Sequence, residues 1–194
     1  MTFTHLDDRG QARMVDVTAK QPTVRSATAT GHVSCSPAVV AALRSGDVPK
    51  GDVLAVARIA GIAGAKRTAE LLPLAHVIGV HGAVVDLEVT DDGVDVTATV
   101  RTADRTGVEM EALTAVAVAG LAVVDMVKGL DKSVSLADVR LIAKTGGKSG
   151  DWYRPDTPAP ELAEPQPIAP VVPRQDTPGP GLPGPDATGP VSPA

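Results

Sequence analysis

The hydrophobic pattern changes period along the chain, and each change marks an element. From Val24 to Ser34 small, β-branched and polar residues alternate roughly, which suits a first strand. Ser36 and Pro37 then open a helix as N-cap and first helical residue, and Ser45-Gly46 closes it. A second helix starts near Asp52, carries apolar residues through Ala65 and stops at Pro73. Its Gly61 and Gly64 each weaken the helix by about 1 kcal/mol relative to alanine, which points to a backbone approaching closely there. Val80 to Val89 and Val94 to Val100 are β-rich runs separated by the turn Asp91-Asp92-Gly93, so they are expected to pair antiparallel. A third helix is expected from Thr106, since Thr106 and Glu109 have capping-box spacing, to about Gly129. Val139 to Ala143 makes a last strand.

The order strand, helix, helix, strand, strand, helix, strand predicts an α+β fold: a ferredoxin-like split βαβ unit, with an antiparallel sheet carrying its helices on one face. The third helix is apolar almost all round between Ala112 and Val124, more than one sheet face requires. A second covering surface is implied, and self-association is its economical source. The longest apolar run, Ala115 to Val124, falls short of the roughly 20 residues of a membrane span and reads as a buried helix.

Composition divides the chain. Of 17 prolines, 13 fall from Pro155 onward, in a stretch too poor in apolar residues to offset its ordering entropy. The expected organisation is a folded domain over residues 1–153 and a disordered Pro-rich tail over 154–194. The folded block is nearly neutral, with 16 basic and 18 acidic residues, and the chain's only aromatics are Phe3, Trp152 and Tyr153. A nucleic-acid binder would show a basic excess and aromatics for stacking. Cys35 stands alone, so no internal disulfide forms, and the N-terminus lacks the pattern of a signal peptide. A cytoplasmic location is the resulting expectation.

Charged residues suggest chemistry only by their spacing. Asp125 and Lys128, three apart near the end of the third helix, share a face; they read either as an intrahelical ion pair or as a catalytic pair whose carboxylate is partly desolvated and shifted in pKa. Glu109 and Glu111, two apart, point to roughly opposite sides of a helix and so are not expected to serve one site as a pair within one subunit. His76 follows the second helix. Lys144-Thr145-Gly146-Gly147-Lys148-Ser149-Gly150 has the composition to cradle phosphate oxygens, but not the spacing of a Walker loop. His5, His32 and His81 show no metal-ligand spacing, so no metal site is assigned.

Several motifs occur together: Met14-Val15-Asp16-Val17, Lys50-Gly51-Asp52-Val53, Lys66-Arg67-Thr68, Leu74-Ala75-His76, Gly107-Val-Glu-Met-Glu-Ala-Leu-Thr-Ala115, and Gly146-Gly147-Lys148-Ser149-Gly150-Asp151-Trp152. In this order they resemble the cyclic pyranopterin monophosphate synthases, the lyases of molybdenum-cofactor biosynthesis. The resemblance implies a ferredoxin-like subunit in a homohexamer, a trimer of dimers with interfacial sites. It implies a 3′,8-cyclo-7,8-dihydroguanosine triphosphate as substrate, and cyclic pyranopterin monophosphate and pyrophosphate as products. By resemblance Asp125, Lys128, Lys50 and Lys66 are catalytic. Leu74, Ala75, His76, Glu109, Met110, Glu111, Lys144 and Lys148 bind substrate. Magnesium would accompany the triphosphate through water and phosphate oxygens. The family commonly reads Cys-His-Pro where this chain has Ala75-His76-Val77, which removes any thiol role there. That departure motivates an alternative reading, a non-catalytic relative that binds a nucleotide or pterin and regulates a partner.

Overall fold

The computed structural model describes residues 7 and 9–155. The expected tail over 154–194 therefore lies almost wholly outside the described residues, as do His5 and Phe3. Five strands form one antiparallel sheet: β1 (Thr23–Ser34), β2 (Gly82–Val89), β3 (Gly93–Asp104), β4 (Ser135–Thr145) and β5 (Trp152–Tyr153), in the order β2-β3-β1-β4-β5. The first four strands follow the split βαβ arrangement expected from the element order. Helices α1 (Pro37–Ser45), α2 (Val53–Lys66) and the single turn α3 (Thr68–Leu71) connect β1 to β2, and α4 (Glu109–Val127) connects β3 to β4.

Local signals explain most element ends. Ser36 and Pro37 start α1, and Gly46, left-handed at φ 77°, ends it. Asp52 caps α2 by accepting the Ala55 N–H at 3.0 Å. The second helix does not run unbroken to Pro73. The buried Thr68 hydroxyl donates back to Ala65 O at 3.1 Å, and Arg67 leaves helical geometry between α2 and α3. At the hairpin, Thr90 N–H donates to Gly93 O at 2.9 Å, as the Asp-Asp-Gly turn predicts.

The third helix departs from expectation in three ways. It starts at Glu109, with Val108 in the cap position and no side-chain cap, so Thr106 and Glu109 form no capping box. Val108 is 1% exposed, and its anchorage in the core fixes where the helix begins. At 19 residues, α4 is long and apolar enough to cross a membrane by length and composition alone, longer than the apolar run suggested. It is nonetheless a core helix, with Ala112, Ala115, Val116, Ala119 and Val123 fully buried. Part of its second covering surface is α2 of the same chain, which packs against both α4 and β2. Leu121 of α4 nonetheless stays 60% exposed.

The glycines of α2 set that contact. A Cβ on Gly61 would lie 2.9 Å from Ala115 O, and one on Gly64 2.9 Å from Val118 Cβ. The fully buried core is mostly valine and alanine, from Val33, Val94, Val96 and Val100 of the sheet to Val123 and Val127 of α4. Such short side chains let helix and sheet approach closely.

Candidate active site

The two ends of α4 carry two different groups of candidate site residues. At its N-terminal end is a cavity of about 370 Å³. Leu74, Ala75 and His76 reach it from the turn after α3, where Ala75 N–H donates to Leu72 O at 3.0 Å. Glu109, Met110 and Glu111 reach it from the first turn of α4, and Val15, Val17 and Lys20 line it from the N-terminal segment.

Glu111 is 4% exposed. Burial pushes its carboxyl above the ordinary glutamate range, and the neighbouring Glu109 charge adds to the rise, against opposing help from its own backbone N–H and from His76. A carboxyl so placed holds a proton nearer neutrality than an exposed one, as an acid or base for a neutral-pH reaction should. Glu109 lines the same cavity, contrary to the expectation from spacing. Standing at the first helical position, it is free to fold back over Gly107, where a Cβ would collide with its carboxylate.

His76 is half-buried and its Nε2 donates to Val15 O at 2.7 Å. Ala75 contributes only a methyl and its backbone to the cavity. Val77, 91% exposed, is not among the lining residues. Val77 therefore stands beside the cavity and not in its wall.

At the C-terminal end of α4, Asp125 accepts from two lysines. Lys50 Nζ donates to Asp125 Oδ2 at 2.9 Å and to its backbone oxygen at 2.8 Å, and Lys128 Nζ lies 2.6 Å from Oδ1. Gly51, at φ 94°, makes the turn that brings Lys50 back over the helix end. Asp125 is 57% exposed, and what desolvation it has is outweighed by its two partners. Its pKa is shifted, but downward to about 2, by the hydrogen bonds from Lys128 and Lys50 and then by their charge. It is held ionised as the counter-charge to both lysines. Each ammonium carries three donors, so among the described residues Lys50 keeps one and Lys128 two not engaged by Asp125.

Lys66, Lys144 and Lys148, also expected at the site, stand apart from both groups. Lys66, in the exposed last turn of α2, neither lines the cavity nor pairs with Asp125. Lys144 lies on β4 and donates to Ser149 Oγ, and Lys148 is exposed in the β4–β5 turn. Within that turn Gly146 N–H donates to Asp151 Oδ1 at 2.8 Å and Gly150 N–H to Gly147 O at 3.2 Å, which engages two of its backbone donors.

Sequence reasoning missed Lys20, Thr106 and Ile78 as cavity residues. Lys20 had one usable signal, its position just after Met14-Val15-Asp16-Val17. Thr106 was hidden behind the capping role that the structure does not give it.

Comparison with known proteins bears on this geometry. The model of the MoaC family matches residues 14–147, a span that holds the cavity and the Asp125 cluster. A curated relative from Streptomyces coelicolor, named cyclic pyranopterin monophosphate synthase, is 63% identical over 152 residues, 78% of this chain and 89% of its own. Relatives of the same name from Nocardioides sp. and Geobacter sulfurreducens are 60% and 55% identical, each over 79% of this chain and 96% and 98% of their own. With the match running from the N-terminal segment through both ends of α4 to the β4–β5 turn, the chain belongs to the MoaC family.

Proposed function

We propose that the chain is a cyclic pyranopterin monophosphate synthase. It converts (8S)-3′,8-cyclo-7,8-dihydroguanosine 5′-triphosphate to cyclic pyranopterin monophosphate and pyrophosphate. The observation that carries the reading is the Lys50–Asp125–Lys128 cluster: two ammonium groups oriented on one ionised carboxylate, with donors to spare. Release of pyrophosphate builds negative charge on the leaving phosphates, and preorganised cations offset it. Rearrangement of the purine-derived ring requires protons to move. Glu111, buried and raised in pKa, is suited to that step from within the cavity.

Glu111 and Asp125 are fourteen residues apart on α4, about 21 Å at 1.5 Å per residue, further than any side chain bridges. The reading therefore places one site between two copies, one lending the Glu111 cavity and the other the lysine cluster. Exposed apolar side chains on the helices, Val56 and Ile59 of α2 with Met110 and Leu121 of α4, support such an assembly. A homohexamer built as a trimer of dimers, acting in the cytoplasm, is the form proposed.

Purified protein supplied with the cyclised dihydro-GTP is expected to form pterin product and pyrophosphate in equal amounts. Asp125→Asn and Lys128→Ala are expected to abolish turnover while the oligomer persists on size exclusion. Normal turnover in both would refute the assigned roles.

A further inference from the structure

One wall of the Glu111 cavity belongs to no strand or helix. Val15, Val17 and Lys20 contribute it from a segment that pairs with none of the sheet's strands. The segment is a compact turn of its own, since Asp16 Oδ1 accepts the Thr18 N–H at 2.8 Å and Lys20 N–H donates to Val17 O at 3.0 Å. Two side chains from elsewhere grip its ends. His76 Nε2 donates to Val15 O at 2.7 Å, and Arg105 Nε donates to Lys20 O at 3.0 Å. Arg105 is itself seated: its N–H donates to Asp104 Oδ1 at 2.7 Å and its carbonyl accepts from Arg25 Nη2 at 3.3 Å. Both grips are on backbone oxygens, so they hold the path of the segment and leave its side chains free.

We propose that His76 and Arg105 are positioning residues that clamp residues 15–20 as a strap along the Glu111 cavity, and so present Lys20 to the anionic part of the substrate. The proposal rests on the reading that this cavity receives substrate. Two carboxylates, Glu109 and Glu111, line a cavity whose substrate is itself anionic. Among the described lining residues Lys20 is the one lysine or arginine, and it has no ion-pair partner among the described residues. Its charge is therefore available only where the strap puts it. His76, with its Nε2 proton engaged at Val15 O, acts through the strap and not by exchanging that proton with substrate.

The test reads hydrogen exchange in the substrate-free full chain beside steady-state kinetics of pyrophosphate release. Arg105→Ala and His76→Ala should each speed amide exchange across residues 15–20 and raise KM about tenfold, the effect of losing one net hydrogen bond. In Arg105→Ala, kcat should stay within about twofold of wild type. Arg105→Lys and His76→Gln retain an N–H donor for the same carbonyls and should return both readouts toward wild type. Unchanged exchange in both alanine variants would overturn the clamp. His76→Gln with the strap protected but KM as poor as in His76→Ala would overturn the positioning role of His76. A wild-type chain that releases no pyrophosphate would overturn the proposed function, while the exchange readout still decides the clamp.

Discussion

Glu111 sits where a carboxylate is least at ease, at the buried start of a helix and beside a second acid, and its protonation couples to the stability of the whole chain. An acid whose folded pKa is raised contributes stability that is fully present below its unfolded pKa and lost as pH rises through the folded value. Glu111→Gln stays neutral throughout. The variant should therefore melt at a higher temperature than wild type at about pH 8 and at the same temperature at about pH 4. Parallel melting curves at both pH values would refute the buried-acid description. Asp125 behaves oppositely. Its depressed pKa means that the contribution of its ion pairs is present above the unfolded value and lost only as pH falls through about 2. The loss of turnover in Asp125→Asn should thus be about 100-fold or more and independent of pH between about 5 and 9. Any acid limb of the wild-type pH–rate profile in that range should belong to Glu111 and disappear in Glu111→Gln. Residue identities and the local Asp125–Lys128 pair were legible in the sequence, but distant partners were not. Lys50 and Asp125 meet across 75 residues, and Glu109 shares the Glu111 cavity only because it stands at the helix end, free to turn over Gly107.

Where α2 crosses α4, propensity and packing oppose each other. Gly61→Ala would gain about 1 kcal/mol in helix propensity. The new methyl would meet the Ala115 carbonyl oxygen at 2.9 Å, and backbone cannot step aside as a side chain can. Overpacking of this kind costs about 1–3 kcal/mol, so the net effect on urea denaturation should be destabilisation. Gly129→Ala meets nothing within 4 Å and serves as the control, expected within about 0.5 kcal/mol of wild type. The elements themselves were legible wherever the signal is local, as in Ser36-Pro37 and Gly46 around α1 and Asp52 before α2. The start of α4 was misread because a core-anchored Val108 outweighs a polar capping pattern. β5 gave no readable period, since two residues become a strand only by pairing Trp152 with Lys144 and Tyr153 with Ala143.

At the scale of the whole molecule, the described fold extends slightly beyond the expected boundary after Tyr153. Arg154 N–H donates to Ile142 O at 2.8 Å and its Nε to Leu141 O at 2.7 Å. Deletion of residues 156–194 should leave melting temperature and turnover unchanged, whereas deletion from Arg154 removes both bonds and should lower stability by about 1–2 kcal/mol. The division of labour between the ends of α4 then sets the decisive experiment, because neither end can act alone if the site is shared between copies. Chains carrying Glu111→Gln and chains carrying Asp125→Asn, each strongly impaired by itself, are co-expressed so that mixed oligomers form, and product and pyrophosphate are followed from the cyclised dihydro-GTP. Random pairing leaves one intact site in each mixed dimer, so turnover should recover to about a quarter of wild type. A mixture as inactive as its two parents would contradict the account.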